Sequence, residues 1–170
     1  VLQHWTEPLR NTLPTLMEAH QSALEIGDFD QASNGLLLHD YHSYSVGREL
    51  NEVDREMTRN EIIIQQLKQE SVINYHKLHH QCVLNLMGKG NDTRLLKGPV
   101  YDAEKMLPQH LAADERSLLL AIFINPMILN YVFGDPKNAL EYAEKTRPYL
   151  NGGIGSYASV LYPFYESLIH

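Results

Sequence analysis

The residues of this chain best equipped for chemistry are histidines. His76, His79 and His80 stand at relative positions 0, 3 and 4, and His39 and His42 lie three apart in an earlier stretch beside Tyr41 and Tyr44. Two imidazoles one helical turn apart can chelate a metal. Zinc catalysis ordinarily uses three protein ligands and a water, however, and the His-Glu-x-x-His pattern that sets a general base beside the metal is absent. The plainer reading has these rings lining the groove of a helix pair, hydrogen-bonded to backbone or tyrosine and facing a bound segment. On that reading His39, Tyr41, His42, Tyr44, His76, His79 and His80 are partner contacts, and no metal, cofactor or catalytic residue is expected.

Other candidate chemistry is weaker. Gly88-Lys89-Gly90 lacks the spacing and the following Lys-Ser/Thr of a phosphate-binding loop, and Asn151-Gly152-Gly153-Ile154-Gly155 follows no evident strand. Both read as turns. Cys82 sits among Leu and Val and reads as a packed core thiol rather than a nucleophile. Asn91-Asp92-Thr93 matches a glycosylation acceptor only formally. No phospho-accepting motif surrounds any of the nine histidines, and the ten tyrosines read mostly as core and groove packing.

The elements that must position these groups are helices. Ile26-Gly27-Asp28-Phe29-Asp30-Gln31-Ala32 returns as Phe133-Gly134-Asp135-Pro136-Lys137-Asn138-Ala139. Each copy is a helix stop followed at once by a helix start. Gly27 and Gly134 supply positive φ at low cost, Asp28 and Asp135 can cap the next helix, and Pro136 suits a first helical position. Asp28 and Gln31 have capping-box spacing. Ala32 and Ala139 fall where two helices would cross closely.

In chain order, Trp5 and Leu9 suggest the end of a preceding helix. A firmer helix is predicted after Pro14, opened by a Thr15–Glu18 capping box and burying Leu16, Ala19, Ala23 and Ile26. Helices are predicted over residues 29–46 and 48–68, the latter amphipathic. A break at 69–71 with Ser71 as cap then leads to a helix ending at Gly88, although one continuous helix through this point is also compatible with the pattern. Residues 89–99 lack an apolar period and are expected to be the most mobile part. A short helix over 102–112 follows, then one over 115–133 capped by Asp114 and bent by Pro126. The remaining helices are predicted over 136–150 and 156–170, the last with its pattern interrupted by Pro163. The expectation is about eight helices in one domain over 1–170, with no strand showing period-two alternation.

Charge narrows the partners. The 21 acidic against 14 basic residues give −7, without a basic run to neutralise successive phosphates, which argues against nucleic acid and anionic membrane. The longest apolar runs, such as residues 118–124, fall far short of the roughly 20 residues that span a bilayer. A lone Cys82 leaves no internal disulfide and fits a reducing compartment. A cytoplasmic protein module is expected, read as a piece of a longer chain because it opens on Val1 and stops in the apolar stretch before Ile169-His170.

Gly27-Asp28-Phe29-Asp30-Gln31-Ala32 resembles the turn of the tetratricopeptide repeat, and Gly27 and Gly134 lie 107 residues apart, near three repeat lengths. The resemblance implies an all-α, right-handed superhelix of stacked antiparallel hairpins. No third Gly-Asp turn lies between them; Leu84-Asn85-Leu86-Met87-Gly88 looks like the end of another first helix. Leu24-Glu25-Ile26-Gly27-Asp28-Phe29, Gln66-Leu67-Lys68-Gln69-Glu70, Val83-Leu84-Asn85-Leu86-Met87-Gly88 and Tyr101-Asp102-Ala103-Glu104-Lys105-Met106-Leu107-Pro108 together resemble a helical segment of large multidomain signalling proteins, best known from cyanobacteria. Those proteins carry serine/threonine kinase-like and AAA-type ATPase domains before the segment and GAF and histidine-kinase domains after it. The resemblance implies a non-catalytic docking or relay module in a two-component-type assembly, with protein partners and weak self-association through its end faces. Two alternatives stand beside it: a His- or metal-dependent enzyme in which the five histidines converge, and a regulatory repeat that binds a peptide or small molecule.

Overall fold

A computed structural model describes residues 3–90 and 92–170. Among them are eight α-helices: α1 (Thr12–Glu25), α2 (Phe29–Ser45), α3 (Leu50–Gln66), α4 (Glu70–Leu86), α5 (Ala103–Ala112), α6 (Arg116–Val132), α7 (Pro136–Thr146) and α8 (Ala158–Ile169). Short 3-10 helices cover Gln3–Trp5, Leu9–Asn11 and Arg147–Gly153. No strand occurs among the described residues, so the chain is all-α. None of these helices is long and apolar enough to cross a membrane. The chain divides into two compact units, Val1–Val83 and Leu84–His170, with the division falling inside α4.

In the first unit α1 and α2 form the expected hairpin. Gly27 lies at φ 76°, its N–H bonds the Leu24 carbonyl, and Asp28 N–H reaches back to Ala23. The Asp28 carboxylate then accepts from Gln31 N–H at 3.1 Å. Ala32 is buried as expected, and three residues on Gly35 approaches so closely that a Cβ there would sit 3.1 Å from His20 backbone atoms. His20 Nδ1–H donates to the Ala32 carbonyl at 2.7 Å, tying the crossing together.

The start of this unit differs from the sequence reading. Trp5 and Leu9 belong to two separate 3-10 turns around Pro8, and α1 begins at Thr12, before Pro14. The cap is Asn11, whose side chain makes no capping bond, and the Thr15–Glu18 pair lies inside the helix and does not open it. Proline is tolerated in a first turn because its missing N–H would have no intrahelical partner there. The buried face of α1 is Thr12, Leu16, His20 and Ala23, while Ala19 and Ile26 are exposed. The expected break after α3 occurs at Lys68, a non-glycine residue at φ 56°, and α4 begins at Glu70, one residue before the expected cap Ser71. Leu36, Leu37, Ile64 and Val72 form the apolar core between these helices.

In the second unit α6 and α7 repeat the hairpin bond for bond. Gly134 N–H bonds Tyr131, Asp135 N–H bonds Asn130, and the Asp135 carboxylate accepts from Asn138 N–H at 3.1 Å. The same pair of closing bonds ends helices at Gly47, Gly88 and Asp114. Asp114 therefore terminates α5 at φ 47° instead of capping α6, whose N-cap is Glu115. Pro126 and Pro163 lie inside continuous helices α6 and α8. α7 stops at Thr146, and the chain continues to Gly153 as a 3-10 helix. Leu120, Ile124, Met127, Ala143, Ala158 and Tyr162 make the core.

The aperiodic stretch after α4 is tied down in its described residues. Leu96 is buried, Asn85 Nδ2–H donates to the Leu95 carbonyl, and Arg94 pairs with Asp135 at 2.9 Å. Asn91 lies outside the described residues. Ala139 is fully buried at the α6–α7 crossing. Ala139→Leu is expected to destabilise by about 1–3 kcal/mol through overpacking, read as a lower urea midpoint; an unchanged midpoint would mean that the crossing has room.

Candidate functional site: a buried histidine–carboxylate network

The five histidines do not converge on one point: His39 and His76 share Asp40, while His42, His79 and His80 have other partners. α2 is buried over most of its length, from Ala32 to Ser43, and carries Asp40 at its centre. Asp40 accepts Nδ2–H bonds from Asn60 of α3 at 2.9 and 3.0 Å, Nε2–H of His76 of α4 at 2.8 Å, and Nδ1–H of His39 at 3.3 Å. Burial alone would raise the Asp40 carboxyl, but the bonds from His39, His76 and Asn60 and the charge of His76 outweigh it and hold it below the usual carboxylate range.

One turn further along α4, His80 Nε2–H donates to Asp54 at 2.8 Å, with Glu61 3.5 Å from its other nitrogen. Burial opposes protonation of His80, but these two carboxylates overcome it and raise the ring above its ordinary value. The spacing of His76 and His80 thus delivers two imidazoles to carboxylates of α2 and α3, which is an ion-pair seam rather than a chelate.

His79 points elsewhere. Its ring stacks on Tyr41 with centroids 4.4 Å apart, neighbours Tyr75, and shares a hydrogen bond with the Tyr44 hydroxyl at 3.1 Å. Burial in this aromatic cage, with His76 and His42 adding like charge, pushes its pKa down to about 3. His42 meets Thr12 Oγ1 at 2.6 Å; the hydroxyl donates to the Leu9 carbonyl, leaving its lone pairs for the ring N–H. Burial first, then His4 and His39, bring His42 down to about 4. Of the seven side chains expected to contact a partner, six are buried and Tyr44 is partly so. They face neighbours within the first unit.

Sequence reasoning missed Asp40, Asn60, Asp54 and Glu56, and in the second unit a Glu115–His110–Tyr101 chain. His110 Nδ1 bonds Glu115, and its Nε2 lies 3.0 Å from the Tyr101 hydroxyl. Carboxylate, imidazole and hydroxyl in that order can activate a nucleophile. Here Tyr101 as a whole is only 4% exposed, and burial with the Glu115 charge raises its pKa, the opposite of activation. The chain instead holds Tyr101 against α5. Among the described residues, the group of three donors close enough for one metal ion is His39, Asp40 and Glu56.

The second unit also carries an open groove of about 390 Å³ whose apolar lining includes Leu95, Leu107, Ile122, Phe123 and Pro126. Lys145 stands at its edge, 4.8 Å from the centre of the Tyr142 ring.

Comparisons with known protein families, with curated proteins and with solved structures give no match to this chain.

Proposed function

We propose that this chain is a non-catalytic docking and relay module built from helix hairpins, stacked in the right-handed manner of tetratricopeptide repeats, within a larger cytoplasmic signal-transduction ATPase or kinase. The observation that carries the reading is a contrast: the histidines with reactive potential are paired with one another's neighbours and buried, whereas the groove lined by Leu107, Ile122 and Phe123 is open and apolar. A surface that is apolar, concave and flanked by a lysine suits an apolar side chain of a protein partner with an acidic neighbour. The resemblance to large multidomain signalling proteins supplies the class of partner, namely the other domains of such a parent. Exposed apolar residues at both hairpin turns, Ile26 and Phe29 in one and Val132 and Phe133 in the other, support packing against further helices or weak self-association.

The test is a titration of the purified chain with isolated ATPase, GAF and histidine-kinase domains of such a protein. Binding to one domain is expected, weakened about tenfold or more by Leu107→Glu, which puts a charged group where an apolar side chain has to pack. No binding to any domain, binding indifferent to Leu107→Glu, or ATP turnover by the chain alone would overturn the reading.

A further inference from the structure

Between α2 and α3 lies a donor set whose geometry goes beyond a docking role. His39 Nδ1, a carboxylate oxygen of Asp40 and one of Glu56 all lie within 4.8 Å of one another. Nδ1 is 3.3 Å from Asp40 Oδ1 and 4.0 Å from Glu56 Oε1. Nitrogen and oxygen ligands about 2.0–2.2 Å from a tetrahedral zinc ion stand roughly 3.3–3.6 Å apart. One edge of the set already has that length. The other edges involve Glu56, the most exposed of the three, whose Oε1 has to approach by a few tenths of an ångström to close the edge to His39.

Two further observations separate this set from a chance meeting of acids. The first is that both carboxylates are held from behind. Asn60 and His76 grip Asp40, and Arg48 Nη1 takes Glu56 Oε2 at 2.7 Å, leaving Oε1 on the side of His39. Ligating carboxylates are ordinarily oriented by such outer hydrogen bonds. The second is His76 itself: it is completely buried, its ring is aimed at Asp40 through Nε2, and its Nδ1 has no partner. Its Nε2–H donates to Asp40 at 2.8 Å and fixes that carboxylate in place. Two carboxylates brought so close repel, and a divalent cation would relieve that repulsion.

We infer that His39, Asp40 and Glu56 bind one divalent transition-metal ion of the zinc class. The imidazole and two carboxylates supply three protein ligands; binding moves the ring proton of His39 from Nδ1, from which it is otherwise donated to Asp40, to Nε2. Glu56 also lines an open depression of about 340 Å³ together with Arg48, Glu52, Arg55 and Arg59, a route by which solvent reaches it.

The experiment uses the whole chain, stripped with chelator and titrated with Zn²⁺ and Co²⁺. Wild type is expected to take up one ion per chain, to show the visible ligand-field band of four-coordinate Co²⁺, and to melt at a higher temperature with Zn²⁺. Mg²⁺, which demands octahedral oxygen ligation, should leave the melting temperature unchanged. Glu56→Gln and His39→Gln should each weaken Zn²⁺ binding about tenfold or more and abolish the Co²⁺ band, while His170→Gln, at an exposed position, should leave both intact. Should His39→Gln fail to fold, Glu56→Gln decides the matter, because Glu56 is partly exposed. The inference is overturned if stoichiometric Zn²⁺ is not retained, if Mg²⁺ raises the melting temperature as Zn²⁺ does, or if Glu56→Gln binds Zn²⁺ and gives the Co²⁺ band as wild type does.

Discussion

Asp40→Ala is expected to destabilise the chain by about 3–5 kcal/mol, the range for breaking a buried charged network from one side. The carboxylate is 1% exposed and accepts hydrogen bonds from three side chains on three helices. Removing it strands Asn60 and the fully buried His76, which have no route to water. Equilibrium urea unfolding measures the loss. Asp54→Ala should cost much less, since that carboxylate is partly exposed and the His80 it leaves still has Glu61 nearby. A change below about 0.5 kcal/mol for Asp40→Ala, the level of an ordinary surface substitution, would show that α2, α3 and α4 are not joined through Asp40.

Acid should unfold the chain earlier than its carboxylates alone would dictate. His42 and His79 have folded pKa values lowered to about 4 and about 3, chiefly by burial, while an unfolded ring titrates near 6.5. As pH falls below 6.5 the unfolded chain binds protons that the folded chain refuses. The stability of keeping these rings neutral is therefore fully present above pH 6.5 and lost as pH falls through their folded values, by up to about 3 kcal/mol for His42 and about 5 kcal/mol for His79. His80 has the opposite sign: its raised pKa contributes stability that is full below 6.5 and lost as pH rises through its folded value. Protonation of Asp40 and Glu61, both lowered, adds to the loss only below the carboxylate range. The urea midpoint should thus fall between pH 6.5 and 4, and His79→Gln should flatten that decline. A midpoint constant over this interval would contradict the burial of these two rings.

The hairpins at Gly27 and Gly134 were legible because positive φ and an Asp cap leave a local signature in residue type. Asp114 and Lys68 carry the same left-handed backbone without glycine, and their cost is offset by closing hydrogen bonds that residue type does not encode, so Asp114 was read as the start of α6 instead of the end of α5. Periodicity failed on α1, where His20 fills a buried position because its ring bonds the Ala32 carbonyl, a contact twelve residues distant. The histidines were visible as a cluster, but their partners were not. Asp40 lies 36 residues from His76 and Asp54 lies 26 from His80, and only the packing of α4 on α2 and α3 brings them together. The groove is likewise a product of tertiary packing, gathered from α5, α6, α7 and the preceding loop.

The buried histidines are locked structural members of the first unit, and an NMR titration of the individual imidazoles tests this most directly. The His79 and His42 rings should remain neutral as the pH is lowered from 6.5 until the fold itself is lost, or until about 3 and about 4, while His80 should stay protonated above its ordinary value. If instead His42, His79 and His80 all titrate together near 6.5, as solvent-exposed rings do, the network is not the one that holds these helices.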